Sequence, residues 1–298
     1  MLTRIYVDNF RCLVNFELKL DRLNLLLGEN GSGKSTVFEV LRRLQGFIGG
    51  NLRADEAFPS DSLTRWQNLD TQRFELELKS EEKTYIYSLA IEHTGGEKRT
   101  VRHEKLTVGG YRLIEFDGEG VALFDDGGKV PFPSDLGQSP VGFYQGIPSL
   151  KLLQEFCKKV ARILVARPMP AVIASKSGSE NRDLDSSGAN YASWYRYLSQ
   201  EHQGNIVDLT QELRKVIDGF DSIILREAGD GVRVLTVRMR NAKDAKPLPY
   251  NFDELSDGQR QLILLYTLLY GVKGEGYCLF LDEPDNFVAL REIQPWLT

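Results

Sequence analysis

"LLLGENGSGKSTVFEVLRRL", from Leu25 to Leu44, opens on three leucines, crosses a stretch with Gly28, Gly31 and Gly33 and no bulky residue, then resumes an apolar rhythm. The spacing G-x-x-x-x-G-K-[ST] has a mechanical reason at each position. Glycines let the backbone curl through positive φ so that successive N–H groups point inward at phosphate oxygens. Lys34 then reaches the β- and γ-phosphates, and the Ser35 hydroxyl is placed to ligate Mg²⁺. The helix that starts there adds its positive N-terminal end. Asn30, Gly31, Ser32, Gly33, Lys34, Ser35 and Thr36 are therefore the expected nucleotide-phosphate cradle. "LNLLL" (Leu23 to Leu27) reads as a buried strand entering the loop, and Val37, Val40, Leu41 and Leu44 recur at helical spacing behind it.

Working outward, such a loop needs an acidic element to place Mg²⁺ and the attacking water. "YCLFLDEP", Tyr277 to Pro284, is an apolar strand ending in two carboxylates. Asp282 is expected to hold the magnesium through water, and Glu283 to orient or deprotonate the water that attacks the γ-phosphate. Ahead of it, "FDELSDGQRQLILLYTLLY" (Phe252 to Tyr270) carries the S-x-x-Q capping box at Ser256 and Gln259, followed by a buried helix. Capping and phosphate binding share one geometry, because exposed N–H groups at a helix start attract anions.

The chain of 298 residues, 42% hydrophobic and 27% charged, has the means to bury a sizeable core. A net charge of −5 argues against a broad basic face for duplex DNA. Two local basic stretches, "EKRTVRHEK" and "VRMRNAKDAK", leave a nucleic-acid partner open, although solvated hairpin edges explain them as well. Cys12, Cys157 and Cys278 are odd in number and scattered, which fits a reducing cytosol rather than a disulfide framework. No apolar run approaches eighteen residues, so neither a membrane span nor a signal peptide is expected. The three histidines show no metal-ligand spacing.

The remaining pattern divides the chain. Residues 1–50 read as strands leading through the loop, and residues 70–133 as an antiparallel sheet with GG and DG turns. Residues 149–220 read as a helical region, with one helix running through "SLKLLQEFCKKVARILVA" and another through "NIVDLTQELRKVIDGF", their apolar stripes being core packing. "GFIGGNLRADEAFPSDS" reads as a loop, and residues 221–298 hold the hairpin "DSIILREAGDGVRVLTVRM", the capping box and the acidic strand end. No heptad pattern lasts long enough for a coiled-coil arm.

LSDGQ closely resembles the LSGGQ signature of ABC-type ATPases, with Asp257 in place of the first glycine. "IYVDNFRCLVNFEL", "LLLGENGSGKST", "SSGANYASWYRYL" and "CLFLDEPDN" extend the resemblance nearly end to end to soluble ABC-type ATPases of the SMC, RecF and OLD-like group. That resemblance implies an α/β fold spanning residues 1–298 as a single P-loop ATPase domain: a mostly parallel core sheet flanked by helices, an antiparallel β lobe and a helical lobe. It implies ATP and Mg²⁺ as ligands, and adds Arg11 of the N-F-R turn to the nucleotide-binding residues. It also implies a homodimer sandwiching ATP, in which Ser256, Gly258 and Gln259 of one copy cover the nucleotide held by Lys34 of the other. A nuclease-like effector, a cytoplasmic setting and a task in anti-phage defence or DNA maintenance follow by analogy alone. The group's strand after the acidic element ends in a histidine, whereas no histidine here follows His202. This departure suggests a truncated form with slow turnover, or a strand supplied by another chain. It also favours the alternative of a non-hydrolysing ATP-dependent scaffold. A transporter subunit fits poorly with the antiparallel insert. The group's further glutamine has only Gln138 and Gln145 as candidates.

Overall fold

Alternating apolar and polar side chains build the larger sheet, one face of each strand turning inward. The computed structural model describes residues 1–80, 83–94, 99–124, 129–132, 137–240 and 246–289. It divides into two compact units, Met1–Ile163 and Leu164–Thr298.

In the first unit, β1 (Leu2–Asp8) and β2 (Phe16–Lys19) precede the long helix α1 (Lys34–Ile48) and the short α2 (Ala54–Ala57). Then come β3 (Thr71–Ser80), β4 (Lys83–His93), β5 (Arg99–Val108), β6 (Tyr111–Phe116), β7 (Gly120–Leu123) and β8 (Lys129–Pro131), with α3 (Pro140–Tyr144) and α4 (Lys151–Ala161) closing the unit. The eight strands lie in the order β2-β1-β3-β4-β5-β6-β7-β8, every pair antiparallel. The expected β lobe is thus present, enlarged by the two N-terminal strands. Helix α1 buries Val37, Val40, Leu41, Leu44 and Phe47. Phe47, Phe58 and Phe74 form a chain of fully buried rings with centroids 5.5 and 4.8 Å apart. Phe156 of α4 stacks on Tyr87 of β4 at 5.6 Å.

The second unit contains β9 (Ile163–Ala166), which starts at its boundary, then β10 (Lys176–Ser177), α5 (Tyr191–Glu201), α6 (Gln203–Val216), β11 (Phe220–Glu227), β12 (Arg233–Met239), β13 (Leu248–Asn251), α7 (Asp257–Tyr270) and β14 (Cys278–Leu281). Strand β12 is the centre of a four-stranded sheet, paired with β10, β11 and β13, all antiparallel. Helix α7 is buried over Gln261–Leu268 with no polar face, the mark of a core helix. Its Thr267 shares a 2.8 Å hydrogen bond with the buried Tyr191 hydroxyl of α5. The GDG hairpin is formed as expected, by β11 and β12.

Four expectations about single elements are corrected. Leu23–Leu27, expected as a buried strand, takes none, and β9 and β14 form a two-stranded pair of their own. Leu23, Leu25 and Leu27 are 74%, 77% and 81% exposed. The cause is local. Asn24 closes a turn on Asp21, accepting from its N–H at 3.0 Å and donating to its carbonyl at 2.8 Å. The helix expected through Leu164 stops at Ala161, because the β-branched run from Ile163 pairs with β14 instead. Phe220, expected on the face of α6, begins β11 after a left-handed Gly219 that breaks the helix. The supposed loop after α1 also contains α2.

Candidate functional site

Gly31 and Gly33 sit at φ 82° and 97°, the left-handed region that a side chain resists. A Cβ at Gly28 would stand 2.7 Å from Ser32 Oγ, so a larger residue there would make the Ser32 side chain move. Gly33 is the N-cap of α1. The helix has no side-chain cap and no acidic residue in its first turn, leaving its initial N–H groups and positive end available to an anion. The Lys34 ammonium folds back over the loop and donates to the carbonyls of Gly28 at 2.6 Å and Glu29 at 2.9 Å. Ser35 occupies the first turn, and the Thr36 hydroxyl accepts from Cys12 Sγ at 3.7 Å. Arg11, in a left-handed turn, donates to Glu39 of α1 at 2.8 Å, a carboxylate that it shares with Arg43. Gln145 donates to the Gly49 carbonyl at 3.4 Å.

The second unit collects the other expected residues. Ser256 Oγ accepts from the Gln259 N–H at 3.3 Å, and Gln259 Oε1 accepts from the Ser256 N–H at 3.1 Å, so the capping box is complete. Asp257 pairs with Arg260, which also donates to the Pro170 carbonyl at 2.8 Å. A Cβ on Gly258 would lie 2.7 Å from the Phe287 carbonyl, so the start of α7 and the turn after β14 approach too closely for any other residue. Gln261 reaches the same turn through the Pro284 carbonyl at 3.4 Å. Asp282 is buried, and its N–H donates to the Ala166 carbonyl of β9 at 2.9 Å. Glu283 follows at φ 51°, with its carboxylate bonded to Arg167 at 2.6 Å and to Asn286 at 3.1 Å.

Arg167 and Asn286 escape the sequence reading. The one signal for Arg167 is a charge directly after the apolar run I-L-V-A. In the two basic stretches Arg102 pairs with Glu92, Lys105 with Glu115, which also bonds the His103 ring, and Arg238 and Arg240 with Asp221. Residues 97–98 and 241–245, and the segment after Ala289 where a further strand was sought, lie outside the described residues. Among the described residues no three His, Cys, Asp or Glu side chains gather for a metal. Ser35 in the first turn of α1 and Asp282 after β14 are each oxygen donors of the kind Mg²⁺ takes beside waters and phosphate oxygens. No helix among the described residues is long and apolar enough to cross a membrane.

An uncapped helix start behind a left-handed glycine loop, with a lysine over it, defines an α/β protein of the P-loop NTPase class. Residues 1–108 match a family described as "AAA ATPase domain", and residues 122–288 one described as "AAA domain, putative AbiEii toxin, Type IV TA system". The second match covers more than half of the chain, and the chain belongs to that AAA domain family. Over 73 residues it is 37% identical to an OLD nuclease of Thermus scotoductus, a match spanning 24% of this chain and 13% of that protein. Among solved structures, the SMC head domain from Thermotoga maritima is similar at 13% identity and a TM-score of 0.46, over 99% of this chain and 82% of that one. The RecF–ATP structure is similar at 13% identity and a TM-score of 0.42, over 99% and 88%.

Proposed function

We propose that the chain binds ATP at the Gly28–Thr36 loop, hydrolyses it with the help of Glu283, and couples that cycle to association with a second copy and to an effector in defence or DNA maintenance. The observation that carries this reading is the start of α1: free N–H groups, no neutralising carboxylate, and a lysine at hand. Lys34 exchanges its two carbonyls for the β- and γ-phosphates. Ser35 and Asp282 are the donors proposed for Mg²⁺, which when bound neutralises charge on the phosphate oxygens. Glu283 takes the proton of the attacking water. Ser256, Gly258 and Gln259 present the start of α7 to the nucleotide of a second copy. The OLD nuclease match supports the setting and a nuclease-like effector.

The test is calorimetry of ATP binding. Lys34→Ala should weaken affinity by about tenfold or more, the equivalent of one charge-assisted hydrogen bond. The fold should persist, because Lys34 is not among the core residues. An unchanged affinity rejects the phosphate site.

A further inference from the structure

Glu283 is held in an unusual way. Arg167 and Asn286 both donate to the same carboxylate oxygen, Oε2, at 2.6 and 3.1 Å. The other oxygen, Oε1, takes no hydrogen bond among the described residues. Two donors on one oxygen fix the plane of a carboxylate and leave its second oxygen open, the condition for accepting a proton from a bound water. Asn286 also donates its N–H to the Glu283 carbonyl at 3.2 Å, closing the turn that keeps Glu283 at φ 51°.

Arg167 delivers its guanidinium from a backbone that is itself tied down. Ala166, just before it, accepts from Asp282, the residue just before Glu283. The Arg167 N–H donates to Ser186 at 2.7 Å and that of Met169 to Ser187 at 2.9 Å, with the rigid Pro168 between them. Pro170 then accepts from Arg260 at the start of α7. A short strap, Ala166 to Pro170, thus touches both the Glu283 carboxylate and the signature helix. Arg167 and Glu283 are each about half exposed, 54% and 47%, and such a pair adds little to fold stability. Its effect is on where the carboxylate sits.

We propose that Arg167 is a positioning residue for Glu283, orienting the carboxylate so that Oε1 meets the water that attacks ATP. The proposal rests on the reading of Glu283 as the base. The experiment is single-turnover hydrolysis of γ-labelled ATP with the chain in excess, beside calorimetric ATP affinity and thermal melting, for wild type, Arg167→Ala, Arg167→Lys, Glu283→Gln and the Arg167→Ala/Glu283→Gln double variant. Arg167→Ala should slow hydrolysis by about 10- to 100-fold, the scale of a misplaced catalytic group. Its affinity and melting temperature should stay those of the wild type. Arg167→Lys, which keeps one cationic donor, should recover part of the rate. In the Glu283→Gln background Arg167→Ala should cost nothing further. An Arg167→Ala rate equal to wild type, a loss appearing in affinity instead of rate, or an additive loss in the double variant overturns the proposal while an inactive Glu283→Gln leaves the role of Glu283 standing. A fully active Glu283→Gln, or a wild-type rate no faster than buffer, overturns the role of Glu283 and this proposal with it. Should Arg167→Ala fail to fold, Arg167→Gln replaces it in the same comparisons.

Discussion

At Gly33 two constraints meet. Its φ of 97° disfavours any side chain, and a Cβ there would stand 2.9 Å from Cys12 Sγ. Gly33→Ala should therefore destabilise the chain by about 1–3 kcal/mol and weaken ATP binding at the same time, read by urea unfolding and calorimetry. Loss of affinity with full stability would mean that the alanine fits and only the phosphate is excluded. Glu104 makes a different case. It is fully buried, accepting from Tyr87 at 2.7 Å, Ser139 at 2.6 Å and the Val141 N–H at 3.3 Å, and desolvation pushes its carboxyl up to about 7 despite those donors. Folded chain therefore holds this proton more tightly than unfolded chain. The stability is fully present below the ordinary carboxylate range and is lost as pH rises toward 7, by about 3 kcal/mol at 1.36 kcal/mol per unit. Glu104→Gln should flatten that slope between pH 4.5 and 7 in urea unfolding, and a slope unchanged from wild type would assign it to other groups. Lys34, Ser256, Gln259 and Asp282 were legible because their spacing is local and each has a chemical reason to stand where it does. Arg167 was not, since it meets Glu283 across 116 residues and no periodicity carries such a pairing.

Among the elements, the end of α4 shows how one side chain sets a boundary. The two N–H bonds of the Gln45 amide of α1 are shared among the carbonyls of Val160, Ala161 and Ile163, at 3.1, 3.0 and 2.8 Å, where the helix C-terminus leaves acceptors open. Gln45→Leu keeps the bulk and removes the donor, so it should cost about 1–3 kcal/mol through unsatisfied carbonyls, measured as a lower midpoint in urea. An unchanged midpoint would show that water satisfies them. The sequence carried α4 past this point because Ile163 and Leu164 continue its apolar stripe. Periodicity cannot show that a strand partner and a cap compete for the same residues. The capping box of α7 and the β11–β12 hairpin were legible for the opposite reason, since their stop and turn signals lie within a few residues of each other. Leu23–Leu27 failed as a strand because a run of leucines states a preference for burial, whereas a strand also needs extended backbone with a hydrogen-bonded neighbour, and here Asn24 closes a turn on Asp21 instead.

For the molecule as a whole, the antiparallel lobe and the order of the elements were readable from alternation and turn chemistry. The division at Ile163 was not, because no Gly- or Pro-rich linker marks it. The prediction at this scale concerns association. Glu283→Gln should keep ATP affinity, lose hydrolysis by roughly 10²- to 10⁴-fold as a missing general base does, and accumulate a dimer in ATP and magnesium, read as mass by light scattering. A variant that stays monomeric while ATP is bound contradicts the sandwich. Lys34 bears on how that cycle begins. Its ammonium already rests on the Gly28 and Glu29 carbonyls, so the loop carries a resting occupant drawn from its own chain. On the reading proposed for this loop, nucleotide entry is a substitution, two carbonyls traded for phosphate oxygens, and not a capture by a waiting charge. The heat it releases is a difference between two sets of bonds. The reverse trade, lysine returning to its carbonyls, gives the departing product a competitor built into the backbone.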